Sequence, residues 1–279
     1  MKTVIKAGLI GRPVSKSLSP AIFKIFAGLT GAEINYEPVD CGRAELSAVI
    51  TQLRGEGWAG FNVTIPYKRD VAAMLALRDA PCRDTGAVNT VRFDRAGLVG
   101  LNTDAAAVRT AFEENGFDVK GRRAAVFGSG GSAAAAGWAL GRSQAAAVEF
   151  RARDAAAGAA LAAKLTMAFP GTVYRAAPFS GGNADVYVNA TPLGMYEPGR
   201  PPCEPGRGTA CLDLAYKPGG TELVKAAAAG GALALDGFEV LVRQATLALH
   251  CWAGLPGGDI VKFNSEALKL FRAGLQGGA

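Results

Sequence analysis

FNVTIPYK, residues 61–68, closes an alternating apolar stretch with a proline and a lysine. Phe61, Val63 and Ile65 alternate with Asn62 and Thr64 in the two-residue period of a pleated chain, which predicts a strand with one apolar and one polar face. Pro66 donates nothing to a ladder, so it predicts the strand's end and leaves Lys68, a flexible cation, at the carboxyl edge. Three further stretches share this character: SKSLSP at 15–20, GAVNT at 86–90 and GLNTD at 100–104. Each stands at a predicted strand end. In an open α/β layer such ends converge on one crevice, where Ser17, Ser19, Thr64, Asn89 and Asp104 offer hydroxyls, an amide and a carboxylate to a small polyhydroxylated molecule, with Lys68 beside them. Capping and turns use the same residue types, but four such stretches together favour a ligand site.

A second constellation lies in AAVFGSGGSAAAAGWAL, residues 124–140. An apolar strand runs into Gly128, Ser129, Gly130 and Gly131 and then into a small-residue helix, with Ala133 at the third fingerprint position. In a dinucleotide-binding unit the first glycine makes the tight turn, the next lets the backbone approach a pyrophosphate, and the helix amides receive the anion. The strand before and the helix after make this more than a bare glycine pattern. The next predicted strand ends in EFRARD, 149–154. An acid there bonds both ribose hydroxyls of NAD, and an arginine holds the extra phosphate of NADP. Arg153 and Asp154 therefore point in opposite directions, and either cofactor fits.

The elements that must position these groups are short strands at Val4–Ile10, Ile34–Val39 and 60–65, separated by helical stretches starting near Ser19 and Arg43. Ser19 followed by Pro20 reads as an N-cap hydroxyl with proline in the first turn. This β-α-β-α-β order predicts a parallel layer, extended by strands at 88–93 and 98–101. From Arg123 a second β-α alternation begins, with strands at 123–127, 147–150, 186–189, 210–214 and 232–235. The segment from Phe238 to Phe271 is helical in pattern and includes LHCWAG with His250, which reads as a helix packed on the first domain. At 279 residues the chain predicts two α/β domains separated by a cleft.

Composition narrows the function classes. Hydrophobic residues make up 49% and charged ones 19%, enough to build cores and too apolar for disorder. A single histidine removes most triad and His-metal chemistry, so no metal site is expected. Cys41, Cys82, Cys203, Cys211 and Cys251 have no CxxC spacing and read as free thiols. The net charge of +6 comes without a basic cluster interleaved with aromatics, so no nucleic-acid partner is expected, and a modest positive field suits a small anionic ligand. No uncharged apolar run approaches the roughly 18 to 20 residues of a bilayer span. Arg12 and Pro13 come too early for a signal peptide. The expectation is a cytoplasmic protein, monomer or homodimer, without a membrane partner.

Gly8 to Pro20 (GLIGRPVSKSLSP), Asn62 to Lys68, Gly86 to Thr90 with Gly100 to Asp104, Gly128 to Gly131, NATPLGM at 189–195, DLAYKPGGT at 213–221 and Gln244-Ala245 resemble, in this order, the motifs of the shikimate dehydrogenase family, which includes quinate/shikimate dehydrogenases. The resemblance implies a substrate-binding catalytic domain from residues 1–104 plus 238–279 and a Rossmann NAD(P)-binding domain at 105–237. It implies an oxidoreductase interconverting shikimate and 3-dehydroshikimate, with Lys68 and Asp104 as the catalytic pair. Ser17, Ser19, Thr64, Asn89, Tyr216 and Gln244 then surround the substrate. Gly128, Ser129, Gly130, Gly131, Arg153, Asp154, Thr191 and Gly237 hold the dinucleotide. The chain departs from the family pattern at Lys16, where histidine is usual, at Ala152-Arg153-Asp154 in place of Asn-Arg-Thr, and at Glu239-Val240 in place of Gly-Met. These changes leave room for a quinate or aminoshikimate dehydrogenase, or for a non-catalytic nucleotide-sensing paralogue. A methyltransferase shares the glycine loop but gives no reason for the Lys68 and Asp104 neighbourhoods.

Overall fold

A computed structural model describes residues 4–277, and among them the chain forms two compact units, one of residues up to Thr103 with those from Leu241 onward, the other from Asp104 to Val240. The first unit opens with β1 (Val4–Gly11), α1 (Ser19–Thr30), β2 (Glu33–Asp40), α2 (Leu46–Gly55) and β3 (Gly60–Val63). It continues through α3 (Lys68–Ala73), β4 (Leu77–Arg78), α4 (Ala80–Thr85), β5 (Thr90–Asp94) and β6 (Gly97–Leu101). Its sheet has the order β2-β1-β3-β5-β6-β4. β1 pairs in parallel with β2 and β3, as the β-α-β-α-β pattern predicts, whereas β5 runs antiparallel to both β3 and β6.

The alternation expected along 61–65 does not hold. All four residues of β3 are buried, Asn62 included, because the strand is central in the sheet and covered on both faces. The strand stops at Val63, and Ile65 is 67% exposed. The α1 start also differs from expectation. Leu18 is the N-cap, Ser19 is already helical, and it is the Ser17 hydroxyl that accepts the Ser19 N–H at 3.2 Å. Ser17 therefore does the local capping that the pattern assigned to Ser19.

The second unit contains α5 (Thr103–Glu114), β7 (Arg123–Phe127), α6 (Gly131–Arg142), β8 (Ala147–Arg151), α7 (Ala155–Ala168) and β9 (Val173–Ala177). After these come β10 (Val186–Asn189), β11 (Ala210–Asp213), α8 (Glu222–Ala229) and β12 (Leu233–Leu235). Its neighbouring strands all pair in parallel, in the order β12-β11-β10-β7-β8-β9. Counted from β7, this is the doubly wound order 3-2-1-4-5-6, whose direction reverses between β7 and β10. Ala- and Gly-rich α6 fits such a sheet closely, for a side chain at Gly137 would collide with Phe150 of β8.

The chain closes with α9 (Gly237–Ala253) and α10 (Ile260–Gly277). Trp252 of α9 donates its indole N–H to the Val91 carbonyl at 3.0 Å and lies 5.7 Å from the Phe23 ring of α1, while Phe263 of α10 packs 5.1 Å from Phe26. The C-terminal helices thus pack on the first unit through aromatic rings. His250 is exposed, and the packing expected of LHCWAG is made by fully buried Leu249 together with Trp252.

Candidate active site

In the first unit the polar stretches are laced into one hydrogen-bonded network. Ser17 donates to the Ser19 hydroxyl at 3.2 Å. Tyr36, on β2 beside Ser19, donates to Asn62 Oδ1 at 2.8 Å. Burial pushes the Tyr36 phenol well above its ordinary range, so it stays a donor. Asn62 Nδ2 in turn reaches the Asn89 carbonyl at 3.2 Å and Thr90 Oγ1 at 3.0 Å. Thr90 and Thr103 share a hydroxyl contact at 3.1 Å, and Asn89 Nδ2 donates to Thr103 Oγ1 at 2.8 Å and to Gln244 Oε1 at 3.5 Å. The Thr103 N–H returns to Asn89 Oδ1 at 2.7 Å.

Ser17, Ser19, Asn89 and Gln244, separated by up to 227 positions in sequence (244 − 17), are therefore joined through Tyr36, Asn62, Thr90 and Thr103. Those four linkers were not singled out from sequence as site residues. Their signal was weak, since a buried polar residue in a strand is visible only once its burial is known. Thr64 is half-buried just past β3, its N–H bonded to the Ile10 carbonyl at 2.9 Å. Lys68 is half-buried at the first position of α3, where a cation opposes the helix dipole, so helix stability does not explain it. Its carbonyl accepts the Val88 N–H at 3.0 Å, next to Asn89. Asp104 follows Thr103 in the first turn of α5. The backbone on either side of Lys68, Asn89 and Thr103 is thus fixed by the same network.

The second unit carries the glycine turn at its switch point. Gly128 has φ +115°, a conformation that disfavours a side chain, and a Cβ there would lie 2.9 Å from the Ala190 carbonyl oxygen, beyond β10. Thr191 flanks the same spot. A Cβ at Gly130 would meet nothing within 4 Å, and Gly130, as N-cap of α6, has no side chain to satisfy the first helix amides. A tight turn, open space and free helix amides fit a pyrophosphate. At the end of β8, Asp154 Oδ1 accepts the Ala157 N–H at 3.0 Å as the N-cap of α7, so one of its oxygens is engaged locally. Exposed Arg153 lies 3.7 Å from Glu197. Gly237 packs against the Leu214 and Ala215 carbonyls, and neighbouring Phe238 sits 5.3 Å from the Tyr216 ring. Burial pushes the Tyr216 phenol up to about 12, which keeps it protonated in neutral solution.

Asn189 and Asp213, quoted in motifs but given no role from sequence, tie these ends together. Asn189 Oδ1 accepts the Thr191 N–H and hydroxyl at 3.0 and 2.6 Å, while its Nδ2 donates to Asp213 Oδ1 at 2.7 Å. Asp213 also accepts from the Ala215 N–H at 3.0 Å and the Thr221 hydroxyl at 2.6 Å. Burial pushes the Asp213 carboxyl up to about 6, against the pull of these donors. Its contribution to stability is full below the ordinary aspartate value near 3.9 and falls as pH rises to about 6, because the unfolded chain ionises first. Asp213→Asn removes this dependence. Urea titrations should show the wild type losing on the order of 2 kcal/mol relative to the variant between pH 4 and 6.5, then nothing further. A constant difference across that range would mean that the group does not titrate there.

Among the described residues no group of three or more His, Cys, Asp or Glu is arranged to hold a metal ion, all five cysteines are free, and no helix is long and apolar enough to cross a membrane.

A parallel sheet wound 3-2-1-4-5-6 with a pyrophosphate-fitting turn at its reversal, carried in one chain with a second α/β unit, defines a dinucleotide-dependent oxidoreductase. Residues 9–91 match the family model of the shikimate dehydrogenase substrate binding domain, and the chain is 39% identical, over 89% of its length and 90% of the relative's, to the shikimate dehydrogenase (NADP+) of Rubrobacter xylanophilus. The chain belongs to the shikimate dehydrogenase family. Shikimate 5-dehydrogenase from Thermus thermophilus, solved in complex with shikimate, superposes with a TM-score of 0.83 at 30% identity, covering 98% of this chain and 99% of that one. The ligand-free 5-ketofructose reductase of a Gluconobacter strain gives 0.86 at 25% identity, covering 96% and 98%.

Proposed function

We propose that the protein is a cytoplasmic shikimate dehydrogenase that interconverts shikimate and 3-dehydroshikimate by hydride transfer with NADP or NAD. The observation that carries this reading is the 39% identity, across nearly the full length of both chains, to a relative bearing that name. The polar network of the first unit supports it, since shikimate is a small ring bearing a carboxylate and three hydroxyls. Ser17, Ser19, Thr64, Asn89, Tyr216 and Gln244 bind these groups. Gly128 to Gly131 receive the pyrophosphate, Thr191 and Gly237 line the same site, and Arg153 and Asp154 meet the adenosine ribose.

When bound, the dinucleotide supplies the hydride acceptor or donor. The chain's own task is the proton. During oxidation the Lys68 amine takes the hydroxyl proton as the hydride leaves the same carbon. During reduction its ammonium returns that proton to the developing alkoxide. Asp104 orients the ammonium and bonds the reacting hydroxyl.

The test is a panel of shikimate, quinate and aminoshikimate against NADP and NAD, and of 5-ketofructose against NADPH and NADH, followed by absorbance at about 340 nm, the reduced-nicotinamide band. Shikimate should exceed the others by about ten-fold or more in kcat/KM. The likeness to 5-ketofructose reductase makes reduction of 5-ketofructose the second reading, and a preference for it would overturn the first. Dinucleotide binding without turnover of any compound would mark a nucleotide-binding paralogue.

A further inference from the structure

The last residue of β8, Arg151, is only 4% exposed, and nothing in the functional assignment uses it. A buried guanidinium is costly unless its surroundings neutralise it and accept its hydrogens. Glu149, two residues earlier on the same face of β8, bonds it directly. Burial works against the Glu149 charge, but hydrogen bonds from Arg175 and Arg151 overcome it and hold the carboxyl below its usual range. Arg175 stands directly opposite Glu149 on β9. The other side of the guanidinium leaves the strand. It donates to the carbonyls of Pro178 and Ser180, each at 3.2 Å, and to that of Gly181, all in the loop after β9.

That loop depends on the contact. A Cβ on Gly182, at φ +77°, would collide with the guanidinium, and the loop's far end is pinned by the Ala184 N–H donating to the Tyr187 hydroxyl at 3.0 Å. Phe179 of the same loop packs edge-on to Phe127, 5.6 Å away, at the end of β7. The backbone of Arg151 faces the glycine turn, its carbonyl accepting the Gly128 N–H at 2.9 Å. One residue thus joins the turn that fits the pyrophosphate to the loop beyond the ribose position, at the carboxyl ends of β8 and β9. In a doubly wound sheet this is the adenosine half of the site.

We propose that Arg151 is a positioning residue that holds the 178–184 loop as a wall for the adenosine half of the dinucleotide. The proposal rests on the dinucleotide reading above, and the experiment separates the two. Kd values for NADP, NAD, ADP-ribose and nicotinamide mononucleotide are measured by calorimetry on the full-length wild type, Arg151→Met, Arg151→Lys and Gly182→Ala, with thermal melts of each. In Arg151→Met, Kd should rise about ten-fold or more for both dinucleotides and for ADP-ribose, and should stay within about two-fold for nicotinamide mononucleotide. Arg151→Lys should recover part of the loss. Gly182→Ala, which leaves Arg151 in place and displaces the loop, should reproduce the same fragment selectivity even if Arg151→Met fails to fold. Uniform weakening of both halves, or unchanged ADP-ribose binding in folded variants, overturns the proposal alone. A wild type that binds no dinucleotide overturns the parent reading and this proposal with it.

Discussion

Lys68→Ala should lower kcat by about three orders of magnitude in both directions while Kd for the dinucleotide and thermal stability hold. General acid-base groups contribute on the order of 10²- to 10⁴-fold, and a lone exposed histidine at position 250 offers no substitute within the proposed chemistry. Stability is the informative control. Lys68 occupies the first position of a six-residue helix, where its charge opposes the dipole and where alanine is the better helix former. Its backbone bond to Val88 is kept by any side chain. Loss of turnover therefore reports chemistry rather than unfolding. Asp104→Asn should cost less, about 10²-fold, because the amide still accepts a hydrogen bond but no longer carries the charge that orients the ammonium. The measurements are steady-state kinetics with shikimate, calorimetric dinucleotide binding and a melt on each variant. A Lys68→Ala enzyme with more than a tenth of wild-type kcat would remove the lysine from the proton step.

How far the sequence revealed this arrangement depended on what each residue had to signal. The strands at 123–127 and 186–189 coincide with β7 and β10 because buried parallel strands are continuous apolar runs with clear punctuation. β9 and β4 carry no such signal. The first, VYRAA, is an edge strand with a charge in its middle, and the second is two residues long. The same limit applied to function. Ser17, Asn89 and Gly128 stand in runs whose types and order are telling by themselves. Tyr36, Asn62 and Thr103 matter through partners 13 to 28 positions away, and no local pattern states such a partnership. EFRARD drew attention to Arg153 and Asp154, which are exposed, and away from Arg151, which is buried. Charge at a strand end suggests a ligand; only burial shows that it holds the protein together.

Asn62→Ala should destabilise the first unit by about 3 kcal/mol, a fall of roughly 10 °C in Tm. Asn62 is 5% exposed, and its amide meets three partners: the Tyr36 hydroxyl, the Asn89 carbonyl and the Thr90 hydroxyl. Truncation removes all three hydrogen bonds, each worth about 0.5 to 1.5 kcal/mol, although the Asn89 carbonyl keeps the Val63 N–H at 2.8 Å and the Thr90 hydroxyl keeps Thr103 at 3.1 Å. Tyr36→Phe alone should cost only about 1 kcal/mol, since its ring keeps the 4.0 Å stack on Phe23. The double variant should be less destabilised than the sum of the two, because a phenyl ring leaves no orphaned donor once Asn62 is gone. The network also predicts a kinetic consequence. With the Tyr36 and Asn89 sides no longer joined, KM for the acid should rise about ten-fold while dinucleotide Kd is unchanged. Strict additivity in the double variant, or a Tm within 2 °C of wild type for Asn62→Ala, would show that the two halves of the polar layer stand independently, and that Ser19 and Asn89 are positioned by their own strands alone.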